Sequence, residues 1–588
     1  MKLPEKKWAG DPKYRALLLF AQLVENMVWY GTRDSYRAPS LNTYHRCVEI
    51  LRAADEIKLA HLRDGILSSM FDEFSDFAKT DPTVKQHFSA EWDKVDFAFK
   101  NGTQRNKVFA VQQFKESLEG RYFKRCRREI EKMIANEKAN DKDRLERLAG
   151  DFCSYILNVG HSAEQISYIV NVSFFEREAT LPPVREVQKF FSEFPCRESL
   201  FQVFMFTTKE LADTAKEEGC ELLTKKLPRP MSLRHGKFLE DTTKFETIQY
   251  RDVRAFDPAD ARIRSEAKLS FARAITYTNR PRDPLSWRPE VIVSWEKNES
   301  GILLNESPAP LRRRYRTSES YSEQILDQRR KAISGNSFSE RDKNKIGNAI
   351  IGYSNAFHSE SPSTQLVAVW SSLEGLLPEV TDNASRIDSV VSAALACQRA
   401  KYFQKIFQWA FIDHYALGKE DFFKIVDKVT LYKTRLSRFI AALCFEEFEE
   451  ISNELGKFAF RSPLTSHRGF RLKAASKKVA ELSKIIDGHQ KKVDWQLRRI
   501  YRERNRIVHQ ANPSANVTTL ILNLNEYFLV CLDAFFDVSG RAMGAQSVDG
   551  LFTQIYLEEE YRRSRVSKLG SKPLAHDNAS LIFGFELS

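Results

Sequence analysis

The sequence predicts a mainly α protein, with a helical N-terminal region, a small α/β region in the middle and an all-α bundle toward the C-terminus. Three observations predict it. Apolar residues recur at helical spacing from residue 12 to about 175, and again from about 325 to 540. Between these stretches, short β-rich runs alternate with a helix-like segment. At 588 residues the chain is also too long for one hydrophobic core, so several domains are expected.

The N-terminal region, 1–180, opens with a stripe of Leu17, Leu18, Phe20, Ala21, Leu23 and Val24. Arg121 to Lys132 (RYFKRCRREIEK) is strongly basic on an expected helix, and reads as a charged face with i,i+4 pairs more readily than as an RNA site. Pro182-Pro183 opens the middle region, 181–300. Its expected strands are Phe201 to Phe206, Phe245 to Tyr250 and Val291 to Trp295. A helix is expected after Asp257-Pro258, reaching about Thr276. No glycine-rich phosphate loop accompanies these strands, so nothing points to a nucleotide-binding motif there.

Residues 301–324 read as a basic linker, with Gly301, Pro308 and Pro310 ahead of Arg312, Arg313, Arg314 and Arg316. The bundle then occupies 325–545. Ile346, Ile350, Tyr353 and Phe357 share one helical face, as do Leu366, Trp370, Leu373 and Leu377, and Ile387, Val390, Ala394 and Cys397. A final helical pair is expected from about Asp494 to Gln510 and from Ser514 to Asp537. Asn512-Pro513 separates them, because the residue before proline is pushed out of the α region. Residues 546–588 are set apart as a tail.

Hydrophobic residues make up 42% and charged residues 29% of the chain, an ordinary balance for a globular protein. The net charge of +12 suits a polyanionic partner, since neutralising phosphates releases counterions; a solvated basic surface is the other reading. The eight cysteines lie far apart, with no spacing typical of zinc, and read as reduced, mostly buried thiols. MKLPEKKWAG lacks the apolar stretch of a signal peptide. The best apolar runs are broken by Glu25, Glu526 and Asp533. A cytoplasmic protein without a membrane span, metal or cofactor is therefore expected.

At the end of the first helix of the final pair stands Tyr501-Arg-Glu-Arg-Asn-Arg-Ile-Val-His509. The negative end of the helix macrodipole favours a protonated His509, and such an imidazole can serve phosphodiester chemistry as general acid or base. Asn505 lies four residues earlier on the same face, and Arg504 offers a planar fork to phosphate oxygens. Arg498, Arg499, Arg502 and Arg506 are candidates for holding an RNA backbone, some of them facing only solvent.

Arg504, Asn505, Ile507, Val508 and His509 spell RNxxVH, which resembles the RN-x-x-[VI]-H form of the Rx4–6H signature of HEPN domains. Trp370-Ser-Ser-Leu-Glu-Gly-Leu-Leu377 is similar to the W-x-x-L-E-x-L helix of the Apea-like HEPN subgroup. The bare spacing is weak: Arg229 to His235 and Arg461 to His467 also fit it, but each contains a proline and lacks Asn after its Arg. The resemblance covers about 325–540.

It implies a metal-independent endoribonuclease, with the fold of a helical bundle and a role in antiphage defence or as a toxin. The RNA 2′-hydroxyl would attack the adjacent phosphate, leaving 2′,3′-cyclic phosphate and 5′-hydroxyl ends. His509 would move protons, Arg504 would stabilise charge on the phosphorane, and Asn505 would orient the pair. Since one imidazole cannot serve both faces of the phosphorus, the resemblance implies a symmetric homodimer with two motifs facing a shared cleft. Glu374 is expected to pair with Arg504 or Arg502 from a neighbouring helix. The N-terminal region is expected to act as regulator or as sensor of a phage-derived trigger. The competing expectation is a catalytically inactive HEPN bundle that dimerises and binds RNA, and a third places the main activity in the helical first half.

Overall fold

In the computed structural model the described residues run from 11 to 587, apart from 59–64, 137–140, 177–180, 217–218, 223–226, 228, 280–284, 306–309, 314–325, 328, 332, 334–337, 381–384, 511–512, 515 and 542–545. The chain is mainly helical, with one antiparallel sheet in its middle.

The Arg15–Val28 helix shows why a simple amphipathic reading falls short at the N-terminus. Every residue from Leu17 to Val28 is buried, so the helix is a central strut rather than a surface element. Phe20 meets Phe152, Phe190 and Phe191 edge-on, each at 6.0 Å between ring centres. Its buried polar residues need partners, and these come from the far end of the chain. Gln22 Oε1 accepts from the Leu464 backbone N–H at 3.0 Å, and Asn26 Oδ1 accepts from Arg468 Nη2 at 2.7 Å. Leu464 itself belongs to this first core.

The Pro182-Pro183 pair does not divide domains. Pro183 starts the Pro183–Ser192 helix, where its missing N–H costs nothing. Val187, Phe190, Phe191 and Phe194 then complete the first core, so the helical region extends past residue 180. A second N-terminal core packs the helices Thr43–Lys58, Ile66–Thr80 and Gln104–Leu118 together.

The middle region is a five-stranded antiparallel sheet in the order β2-β3-β1-β4-β5. Its strands are β1 (Ser199–Thr207), β2 (Glu221–Leu222), β3 (Glu246–Ala255), β4 (Trp287–Trp295) and β5 (Asn298–Leu304). Strand β1 is central, and side chains on its two faces enter different cores. Val203 and Met205 pack with Leu211 and Leu269, whereas Phe204 and Phe206 pack with Met231. Burial on both faces explains its nearly unbroken apolar sequence. The short β2 and the strand β5 carry no comparable run. Residues 301–304, expected in the linker, lie in β5, while Arg314 and Arg316 fall outside the described residues.

Two long helices organise the C-terminal half: Arg386–Tyr415, of 30 residues, and Val479–Gln510, of 32. Each passes through two cores. The first joins parts of both with the helices Glu340–His358, Pro362–Leu376 and Val517–Ser539. The second joins their other halves with residues 417–482. The segment expected as a tail belongs to both. Val548, Leu551, Phe552 and Ile555 enter the first, and Leu574, Ile582 and Phe583 the second. The bundle therefore extends past residue 545, because apolar positions there complete its surface. Among the described residues one helix, Val517–Ser539, is long and apolar enough to cross a membrane, and 72% of its apolar stretch is buried inside the protein.

Phe528 sits at the centre of this bundle, fully buried and stacked on Tyr353 at 4.7 Å. Phe528→Ala is expected to cost about 3–5 kcal/mol through lost burial and the cavity left behind. A shift of the urea unfolding midpoint checks this.

Candidate active site

The C-terminal turns of the Val479–Gln510 helix carry two faces with opposite fates. Arg499, Arg502, Glu503 and Arg506, at i, i+3, i+4 and i+7, share one face. That face turns inward, against the Thr43–Lys58 and Ile66–Thr80 helices. Arg499 is buried. Its Nε and Nη2 donate to Glu49 at 2.9 and 3.0 Å, Nη2 also reaches Glu73 at 2.6 Å, and Nη1 donates to Gln496 at 3.1 Å. Arg46 meets the other Glu73 oxygen at 3.1 Å. Arg502 Nη2 donates to Glu49 at 3.2 Å, and Arg506 pairs with Glu503.

Burial would raise the Glu49 carboxyl, but Arg499 and Arg502 outweigh it and pull the group down to about 2. Burial alone would lower Arg499, yet Glu49 and Glu73 push it above its ordinary value. Arg46, further from compensation, is brought down to about 10 by burial despite Glu73. Glu503 also accepts the Ser514 N–H at 2.6 Å, tying the helix end to the turn after Pro513.

These contacts correct the expected RNA-binding set. Arg499 has no access to solvent, and Arg502 and Arg506 are mostly covered, with side chains 12% and 11% exposed. Arg498 is more open but is held by Asp494 at 3.0 Å and Asp388 at 2.8 Å. The physical reason is distant charge: Glu49 and Glu73 lie more than 400 residues away in sequence.

Arg504, Asn505 and Val508 point away from that inward face, and His509 follows Asn505 at i+4. Arg504 Nη1 donates to Asn505 Oδ1 at 3.0 Å, which couples the guanidinium and the amide. Arg504 Nε is buried with no hydrogen-bond partner among the described residues. His509 is exposed in the last turn of the helix. No hydrogen bond joins it to Arg504 or Asn505 among the described residues. Ile507 packs on the bundle core, whereas Val508 is 50% exposed.

Glu374 does not pair with Arg502 or Arg504 among the described residues. Its carboxylate accepts from the Trp370 indole N–H at 3.0 Å, and Arg386 binds its backbone carbonyl. The Trp370 ring in turn lies 5.6 Å from that of Tyr501. The spacing of Trp370 and Glu374, at i and i+4, therefore serves an indole–carboxylate contact within one helix.

The two other Arg-to-His spacings have unrelated roles. His235 sits at a kink and its Nε2 lies 3.2 Å from the Ser300 carbonyl. His467 is buried with its Nε2 3.0 Å from Glu146. Asp143 joins those two as a group able to hold a cation, but Arg471, 2.7 Å from Glu146, already supplies positive charge there.

Sequence reasoning missed the N-terminal side of the site. His45, Glu49, Arg52 and Glu56 of the Thr43–Lys58 helix face the Arg502–Arg506 side of the C-terminal helix across a cavity of about 220 Å³. Nothing local in TYHRCVEILRAADE identifies which element would cover it. The chain matches no family model, no curated protein and no solved structure.

Arg499→Ala would leave the buried Glu73 and the partly buried Glu49 without their shared cation, at an expected cost of about 3–5 kcal/mol. A lower thermal midpoint checks this. Because the folded-state value for Glu49 is depressed, its stabilising contribution is present above its ordinary value of 4.5 and is lost as pH falls toward about 2. The acid-denaturation curve of Arg499→Ala should lose that part of its pH dependence.

Proposed function

We propose that this protein is a metal-independent endoribonuclease of the HEPN type, acting in the cytoplasm as an antiphage defence or toxin effector. The observation that carries the reading is the exposed His509, one helical turn beyond Asn505, to which Arg504 is hydrogen-bonded. The RNxxVH sequence and the surrounding bundle support it.

In this mechanism the 2′-hydroxyl oxygen forms a bond to phosphorus as the bond to the 5′-oxygen breaks. The 2′ proton leaves to a base, and the departing 5′-oxygen receives a proton. His509 carries one of these protons. Arg504 places positive charge where the equatorial oxygens become more negative, and its bond to Asn505 limits the rotation of the guanidinium. A second copy of the chain would bring a second imidazole to the opposite side of the phosphorus, which is the chemical reason to propose a homodimer. DNA lacks the attacking hydroxyl and is not cut by this route.

The second reading, an inactive RNA-binding bundle, is favoured by the lack of any bond tying His509 to Arg504. Both readings place RNA at the same face. Point variants separate them better than removal of residues 1–320, which would strip partners from the Val479–Gln510 helix.

With tRNA or mRNA in EDTA, the intact protein is expected to release 2′,3′-cyclic phosphate and 5′-hydroxyl ends. His509→Ala and Arg504→Ala should each slow cleavage by about 10²-fold or more while leaving the thermal midpoint unchanged. End-group mapping of the products checks this, and undiminished cleavage by both variants would refute the assignment.

A further inference from the structure

The reverse side of the same helix end holds a second feature that the cleavage chemistry does not use. The cavity between the Thr43–Lys58 helix and the Arg502–Arg506 face measures about 220 Å³, ample for an organic molecule when liquid water occupies roughly 30 Å³ per molecule. Its apolar lining includes Leu41, Met70 and Leu520. Its polar lining divides into groups already satisfied and groups that are not.

Glu49 and Glu503 are occupied by arginines, as described above. Arg52, which is exposed, and Glu56, which is partly exposed, lie one turn apart on the Thr43–Lys58 helix and have no ion pair with each other or with any other described residue. Arg506 keeps its Nε buried and without a hydrogen-bond partner. The cavity therefore presents one unspent guanidinium, Arg52, and one unspent acceptor, Glu56, around an apolar floor, with the Arg506 guanidinium in its wall. A guanidinium fork matches phosphate oxygens, and a carboxylate matches a ring N–H or amino group.

The His45 ring adds a flat wall. Burial pushes its imidazole down to about 4, so it is uncharged at neutral pH. Its Nδ1 lies 3.2 Å from Asn42 Oδ1, an acceptor that keeps the proton on that nitrogen. A neutral aromatic ring beside an apolar floor suits stacking of a base.

From this geometry we infer that the cavity is a binding site for a nucleoside monophosphate. Its phosphate is held by Arg52 and Arg506, its ring lies between His45 and the apolar floor, and an amino or ring N–H group donates to Glu56. The site lies on the opposite face of the helix from Arg504 and Asn505, and its occupancy is independent of the ribonuclease reading. Free mononucleotides and the terminal nucleotide of an RNA strand share this chemistry.

Calorimetric titration of the full-length protein tests the inference with AMP, GMP, CMP, UMP, adenosine and inorganic phosphate, and in parallel with a tetraribonucleotide. At least one mononucleotide or the tetranucleotide is expected to bind, and the tighter of the two classes identifies the source. Arg52→Ala should weaken that binding at least tenfold. Val48→Trp, which places an indole in the cavity from its partly exposed wall, should abolish it. Unchanged thermal midpoints would show that both variants fold. Absence of binding by every nucleotide at millimolar concentration overturns the proposal. So does binding that survives both substitutions, or inorganic phosphate binding as tightly as the nucleotides.

Discussion

Arg499 is a buried cation shared by two carboxylates from helices that precede it by more than 400 residues. A guanidinium placed there without Glu49 and Glu73 would carry a desolvation cost of several kcal/mol. The reverse also holds: without it the two carboxylates at that seam keep only Arg46 and Arg502 to offset their burial. The three groups thus make sense only together, and they set where the N-terminal helices meet the last turns of the Val479–Gln510 helix. Arg46 and Arg502 extend the arrangement on either side. The position of the cavity and the exposure of the opposite face both follow from this seam.

That seam also explains how one highly charged stretch can have two chemical characters. Between residues 498 and 509 the helix carries five arginines, and sequence spacing alone treats them as equivalent. Packing does not. Those that face the N-terminal helices are neutralised or covered, while Arg504 keeps a side-chain amide as its hydrogen-bonded neighbour. A reaction at phosphate needs a positive group that no carboxylate neutralises, and Arg504 has no ion pair among the described residues.

Much of the architecture was legible in the sequence because it is written in local periodicity. The strands around Phe204, Gln249 and Val293, the helix beginning at Pro258 and the helical stripes through Ile346 and Leu366 all fall where spacing and turn residues place them. What was illegible depends on contacts distant in sequence. Val548 and Phe552 look like the start of a tail until the bundle surface they cover is known. Leu303 lies on a strand because β4 pairs with it, and the run Ile302–Leu304 is too short to mark a strand by itself. At the site, Asn505 beside Arg504 was readable from sequence, whereas the burial of Arg499 was not. Glu374 was misassigned because its indole partner lies within its own helix.

The long-range bonds of the Arg15–Val28 helix carry a consequence for synthesis. Gln22 must wait for the backbone of Leu464, 442 residues downstream. At about 5–20 residues per second, that interval is roughly 20–90 s. Throughout it, the Arg15–Val28 helix has a flank and unsatisfied polar groups with no permanent neighbour. The nascent chain needs shelter over that interval, and the region bearing His509 emerges shortly after that shelter can be dismissed.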